Sequence, residues 1–135
     1  MQQKIHTRQI GVHYERLAGS YLEKQGYRIL EYNYRCPYAE IDIIAENGTY
    51  LIFCEVKYRK GTDITPSLEA VDIRKQQRIS RAALFYMSRH HLAEIPCRFD
   101  VIGISDTQIQ HPIGYGQLQK YCFLPCPFDW QFPAG

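Results

Sequence analysis

The sequence predicts a single mixed α/β domain, a central mixed β-sheet flanked by helices in the order α-β-β-β-α-β. Three observations carry this expectation. Two segments repeat apolar residues at helical spacing, several runs of strand length are rich in β-branched and aromatic residues, and an Asn-Gly pair joins two of those runs.

Residues 7–25 read as the first helix, with Ile10, Tyr14, Leu17, Ala18, Tyr21 and Leu22 on one stripe. Thr7 stands at the N-cap and Gly26 supplies the stop. A strand follows from Tyr27 to Tyr34 and ends at Cys36-Pro37. Glu40 to Ala45 and Tyr50 to Tyr58 flank Glu46-Asn47-Gly48-Thr49, and Asn-Gly suits the two positive-φ positions of a type I′ hairpin. Residues 60–66, with Gly61 and Pro66, form a loop. The second helix fits 72–90, capped by Asp72, with Ile79, Ala82, Ala83, Tyr86 and Met87 on its inner face. Cys97 to Ile104 is a further strand, and a weaker one lies within 107–123. This gives a domain over 1–124. The tail over 125–135, with three prolines and the aromatics Phe128, Trp130 and Phe132, reads either as a strap on that domain or as a partner-binding segment.

At 135 residues the chain falls in the roughly 100–200 expected for one domain. With 45% hydrophobic and 22% charged residues it is neither disordered nor fibrous. No apolar run approaches the ~18 residues of a membrane span, so a soluble, cytoplasmic protein is expected. The five cysteines (Cys36, Cys54, Cys97, Cys122 and Cys126) include no Cys-x-x-Cys pair and read as free thiols in a reducing compartment. The net charge of +2 argues against holding nucleic acid by bulk electrostatics. That average conceals a segment, 57–89, with eight basic and three acidic residues, a net of +5 against −3 elsewhere.

The hairpin fixes which charges share a face. With Asn47-Gly48 as a two-residue turn, paired positions sum to 95, so Asp42 opposes Phe53 and lies diagonal to Glu55. One face then carries Glu40, Asp42, Ile44, Leu51, Phe53, Glu55 and Lys57. The other carries Ile41, Ile43, Ala45, Tyr50, Ile52, Cys54 and Val56 and reads as core. The assignment requires an even-length turn, because a slip of one residue reverses every side chain. Neighbouring carboxylates repel unless a cation lies between them, and Mg²⁺ or Mn²⁺ takes carboxylate oxygens together with water and substrate phosphate. The Val56 carbonyl stands between Glu55 and Lys57 as a further ligand, and Lys57 is positioned to assist an attacking water. Asp42 with Glu55-x-Lys57 is thus a recipe for metal-assisted phosphodiester hydrolysis. A solvated Glu-Lys ion pair is the plainer alternative, and spacing alone leaves both open.

At these residues the sequence resembles the PD-(D/E)xK nuclease superfamily. More closely, it resembles the YraN-like family of endonuclease-like bacterial proteins related to Holliday-junction resolvases. The matching stretches are Glu15 with Ala18, Tyr21 and Leu22; Gly26-Tyr27 with Asn33; Glu40-Ile41-Asp42-Ile43-Ile44; Phe53-Cys54-Glu55-Val56-Lys57-Tyr58-Arg59; Val71 with Lys75; and Arg98-Phe99-Asp100-Val101. Ala39 and Tyr14 stand where the family usually has glycine, and Cys54 replaces a more usual valine. The resemblance implies a restriction-endonuclease-like fold, with Asp42, Glu55 and Glu15 as metal ligands and Lys57 as a catalytic residue beside them. It also implies Lys57, Arg59 and Lys75 at phosphate-contact positions, Mg²⁺ or Mn²⁺ as cofactor, and branched DNA as substrate. A two-fold junction would favour a homodimer. A non-catalytic nucleic-acid-binding module and a protein-interaction domain built on the tail remain open alternatives.

Overall fold

The computed structural model describes residues 2–58, 60, 73–92, 94–106 and 109–111. The elements follow in the order α1 (Gln2–Lys24), β1 (Arg28–Arg35), β2 (Glu40–Glu46), β3 (Leu51–Tyr58), α2 (Ile73–Arg89), β4 (Cys97–Ile104) and β5 (Ile109–Gln110). The sheet is mixed and its strands lie in chain order. All neighbours are antiparallel except β3 and β4, which run parallel with α2 between them in the chain. Arg59, Val71, Asp72, all but Lys60 of the loop expected over 60–66, Cys122, Cys126 and the tail over 125–135 lie outside the described residues.

Both helices stop at the same backbone device. In α1 the Tyr27 N–H donates to Leu22 O and the Gly26 N–H to Glu23 O, with Gly26 at φ +94°. In α2 the Leu92 N–H donates to Met87 O and the His91 N–H to Ser88 O, with His91 at φ +55°. These are Schellman closures, which satisfy carbonyls a helix end would otherwise leave open. At its other end α1 starts before the expected Thr7 cap. Gln2, Gln3, Lys4 and Ile5 include no helix breaker, so nothing in the chain stops the helix at Thr7.

The helices cover opposite faces of the sheet. On one, Ile79, Ala82, Ala83, Tyr86 and Met87 of α2 pack with Ile44, Leu51, Phe53, Phe99 and Val101. On the other, Ala18 and Leu22 of α1 pack with Ile43, Ala45, Ile52, Cys54, Ile102 and Ile104. The expectation of one apolar and one charged face is therefore corrected, because both are core over most of their length. The α2-side face turns polar at one end, where Asp42 and Glu55 lie. The stripe on α1 is only partly used: Ala18 and Leu22 are fully buried while Ile10 and Leu17 are each 38% exposed. A 23-residue helix is ~35 Å long and strands of seven or eight residues only ~25 Å, so the helix outruns the sheet.

The hairpin turn is longer than expected. Asn47 Oδ1 accepts from the N–H of Thr49 and of Tyr50, and the Asn47 N–H closes the loop onto Tyr50 O. Gly48 holds φ +92°. The turn therefore spans 47–50, and the pairs Ile43↔Cys54, Ile44↔Phe53, Ala45↔Ile52 and Glu46↔Leu51 sum to 97 rather than 95. A displacement of two residues leaves the paired side chains, Ile43 to Glu46 and Leu51 to Cys54, on their expected faces, so the parity argument survives although the partners change.

One polar network lies inside the α1-side core. Arg98 and Asp100 are 6% and 0% exposed. The Arg98 guanidinium donates to both Asp100 oxygens and, at 2.6 Å, to Tyr27 Oη. The His111 Nε2–H donates to Asp100 Oδ2, also at 2.6 Å. Asp100 thereby ties β4 to the chain beyond β5. Among the described residues Cys36, Cys54 and Cys97 are free, and burial pushes the Cys54 thiol up well beyond its ordinary value. No described helix is long and apolar enough to cross a membrane. Asp100→Ala is expected to destabilise the fold by about 3–5 kcal/mol, because it strands a buried guanidinium. Urea unfolding checks this, and a loss below about 1 kcal/mol would contradict it.

Candidate active site

The polar end of the α2-side face is built by three strands and two helices. Continuing the β2–β3 register one step sets Asp42 against Glu55, directly rather than diagonally. The alternation begun at the turn makes this a non-hydrogen-bonded pair, the class in which facing side chains come closest. Asp42 also replaces a rung of the ladder. The Val56 N–H, which that alternation would give to the Ile41 carbonyl, donates to Asp42 Oδ2 at 2.8 Å. The regular pairing ends there, and Ile41, expected on the α1 side, packs with the α2-side core instead.

The β1–β2 register places Asn33 opposite Asp42, which makes a row of Asn33, Asp42 and Glu55 across three strands. Asn33 holds φ +54°, a conformation Asn tolerates better than other residues with a Cβ, and its amide donates to Glu15 Oε2 at 2.7 Å. Glu15, reaching down from α1, is thus oriented by the strand next to Asp42. From the other helix, the Lys75 ammonium donates to Glu55 Oε1. A cleft of about 370 Å³ opens over this row, lined by Glu40, Asp42, Glu55, Lys75, Arg78 and Ile79 and closed at one side by Ala39.

The electrostatics are those of crowded acids. Burial and the neighbouring Glu55 push the Asp42 carboxyl up to about 8, against the partial relief of the Val56 N–H; Glu15 adds to the rise and Lys75 opposes it. Glu15 is raised by burial first and then by Glu40. Glu55 is only 7% exposed and has the Lys75 ammonium as counter-charge.

Of the residues expected to form the site, Asp42, Glu55 and Glu15 converge, and Lys57 follows two residues after Glu55 on β3, half-buried. Lys75, expected at a phosphate-contact position, is turned onto Glu55 instead. Arg59 lies outside the described residues. Sequence reasoning named Asn33 only as a matching residue and included Arg78 only within the basic 57–89 segment. The available signals were an asparagine inside an aromatic strand, where such residues are depleted, and the spacing of Lys75, Arg78 and Ile79 on one helical face.

The donor set fits a hard divalent cation. Two carboxylates face each other in a partly dry cleft where burial first, and then the like charge of Glu55, raise the Asp42 carboxyl, and a cation between them removes that repulsion. Among the described residues no three His, Cys, Asp or Glu side chains form a complete cage. An ion here would draw the rest of its shell from backbone, water and substrate, as Mg²⁺ commonly does.

The fold and cleft define a mixed α/β protein with a carboxylate pair on adjacent antiparallel strands. The chain belongs to the uncharacterised protein family UPF0102, which matches residues 14–104 and so includes Glu15, Asp42, Glu55, Lys57 and Lys75. A UPF0102 protein of Syntrophus aciditrophicus is 45% identical over 105 residues, covering 78% of this chain and 80% of that one. A second, of Shewanella oneidensis, is 44% identical over 101 residues, with 75% and 93% covered. A third, of Geobacter metallireducens, is 40% identical over 125 residues, with 93% and 96% covered. The solved structure of Pyrococcus furiosus SfsA in complex with Ca²⁺ aligns with a TM-score of 0.35 at 16% identity, over 82% of this chain and 64% of that one.

Because the folded protein holds the Asp42 proton up to about 8 while the unfolded chain releases it near 3.8, the folded state carries the extra proton between those values. This group therefore makes stability fall as pH rises through that window. Asp42→Asn keeps an acceptor for the Val56 N–H and removes the titration. Its melting temperature should decline less than that of the wild type from about pH 5 to about pH 9, and parallel declines would refute the assignment.

Proposed function

We propose that this protein is a divalent-metal-dependent nuclease that hydrolyses phosphodiester bonds, on a restriction-endonuclease-like version of the α/β fold. The observation that supports it most is the Asp42–Glu55 pair, a half-buried and a buried carboxylate level with each other on β2 and β3, with Lys57 next along the same strand. Asp42 and Glu55 would hold Mg²⁺ or Mn²⁺, with the Val56 carbonyl as a further ligand; the bound ion supplies Lewis-acid stabilisation of charge building on phosphate oxygens. Lys57 orients the attacking water and offsets negative charge at the scissile phosphate. Glu15, held by Asn33, adds negative charge near Asp42. Arg78, which lines the cleft, would join Arg59 of the basic 57–89 segment in contacting the phosphate backbone, while Lys75 is held on Glu55. Backbone contacts of this kind position nucleic acid without reading its sequence, so selection by shape, as on branched DNA, fits better than site-specific cutting. A homodimer would match a two-fold junction, and the reading places the protein in the cytoplasm.

One observation favours a second reading, a non-catalytic nucleic-acid-binding module that retains the nuclease fold. The Lys75–Glu55 ion pair already gives Glu55 a counter-charge without any metal.

The two readings part in Mn²⁺. For the nuclease, Mn²⁺ raises the melting temperature of the wild type but not of Asp42→Asn, and supports cleavage of branched or single-stranded DNA. Lys57→Ala should then keep the thermal shift and lose roughly 100- to 10,000-fold in cleavage rate. Binding without cleavage, with Asp42→Ala leaving both affinity and stability unchanged, would establish the module instead.

A further inference from the structure

A second cleft, of about 380 Å³, lies beside the far end of β3 on the α1 side of the sheet. Gln9, Ile10, His13 and Tyr14 of α1 form one wall, and Tyr58 and Lys60 form the other. The Tyr14 and Tyr58 rings stack with centroids 3.9 Å apart and planes 13° from parallel. His13 meets Tyr14 edge-on, with centroids 5.1 Å apart. Tyr58 Oη donates to Asp106 Oδ1 at 2.6 Å, which fixes the ring against rotation.

These aromatic groups do not complete the core. Tyr14 and Tyr58 are half-buried at its rim and His13 is exposed, while Ala18 and Leu22 close the core further along α1. Because Tyr14 and Tyr58 stack on each other, the cleft offers the outer side of that stacked pair, an amide at Gln9 and a cation at Lys60, the first described residue beyond β3. Ring faces suit a nucleobase, and Lys60 belongs to the +5 segment whose charge complements phosphate. This cleft and the acidic one open on opposite faces of the sheet and share no lining residue.

We propose that this groove is a stacking subsite for an unpaired nucleobase of a single-stranded nucleic acid. The choice of nucleic acid as ligand rests on the proposed function, whereas the stacking itself does not require cleavage. A duplex end or hairpin stem keeps its bases stacked on each other and has no free ring face to offer.

The test uses the full chain in an Asp42→Asn background, with fluorescence anisotropy of a fluorescein-labelled oligothymidylate and of a blunt hairpin duplex at one low salt concentration. The oligothymidylate should bind more tightly than the duplex. Tyr58→Leu should weaken the oligothymidylate roughly tenfold, the low end of what one base–aromatic stack contributes, and leave the duplex nearly unchanged. Tyr58→Phe, which keeps the ring, should retain the preference. His13→Ala, an exposed change that spares the core, should weaken the single strand in the same sense and serves if Tyr58→Leu unfolds. Unchanged oligothymidylate affinity in His13→Ala and in a folded Tyr58→Leu, or an equal loss for both ligands, would overturn the proposal. With Asp42 restored, Tyr58-dependent binding without Mn²⁺-dependent cleavage removes the nuclease reading alone. Cleavage with Tyr58-independent binding removes the stacking subsite alone.

Discussion

The pairing of β2 with β3 is set at the Asn47–Tyr50 turn, where one side-chain carbonyl accepts two backbone N–H groups, and the acidic cleft depends on that offset. An even offset sends Ile44 and Phe53 under α2, and the same alternation turns Asp42 and Glu55 toward that helix's first turn. A slip of one residue would set Asp42 and Glu55 on opposite faces of the sheet, leaving one carboxylate among the α1-side apolar side chains. The turn thus fixes a relation among residues on two strands and both helices, although it touches none of them.

The cleft works against the fold that holds it. Asp42 and Glu55 face each other where water is scarce, and the sheet tolerates them through three local accommodations. Asp42 takes a backbone N–H that the ladder would otherwise use, Glu55 takes the Lys75 ammonium, and Asn33 adopts a left-handed conformation to bind Glu15. Each accommodation departs from regular secondary structure, and all three fall in one row of the sheet. Departures concentrated in one place, within an otherwise regular core, are a common mark of a functional site.

Much of this was legible in the sequence, for identifiable reasons. Helical spacing located α2 and its whole inner face, because Ile79, Ala82, Ala83, Tyr86 and Met87 have no competing role. The strands of the sheet were legible from β-branched and aromatic runs bounded by turn residues. The hairpin offset was not, since Asn-Gly serves both a two-residue turn and the longer loop in which Asn47 accepts from Thr49 and Tyr50. The coverage of both faces was hidden as well, because alternation identifies which residues share a side but not which helix arrives there. Asp42, Glu55 and Glu15 could be named from charge and motif. Asn33 could not, as its role depends on a cross-strand neighbour and a backbone angle that no single-sequence pattern encodes.

The parallel partnership of β3 and β4 has a consequence in time rather than in space. The first three strands are joined by short connections and can pair as soon as they leave the ribosome, whereas β4 must wait for the crossover through α2. Until then Leu51–Tyr58, the strand with the most buried run in the hairpin, presents an unpaired apolar edge. The nascent chain therefore passes through an interval in which its central strand is its most adhesive surface, and the arrival of Cys97–Ile104 ends it.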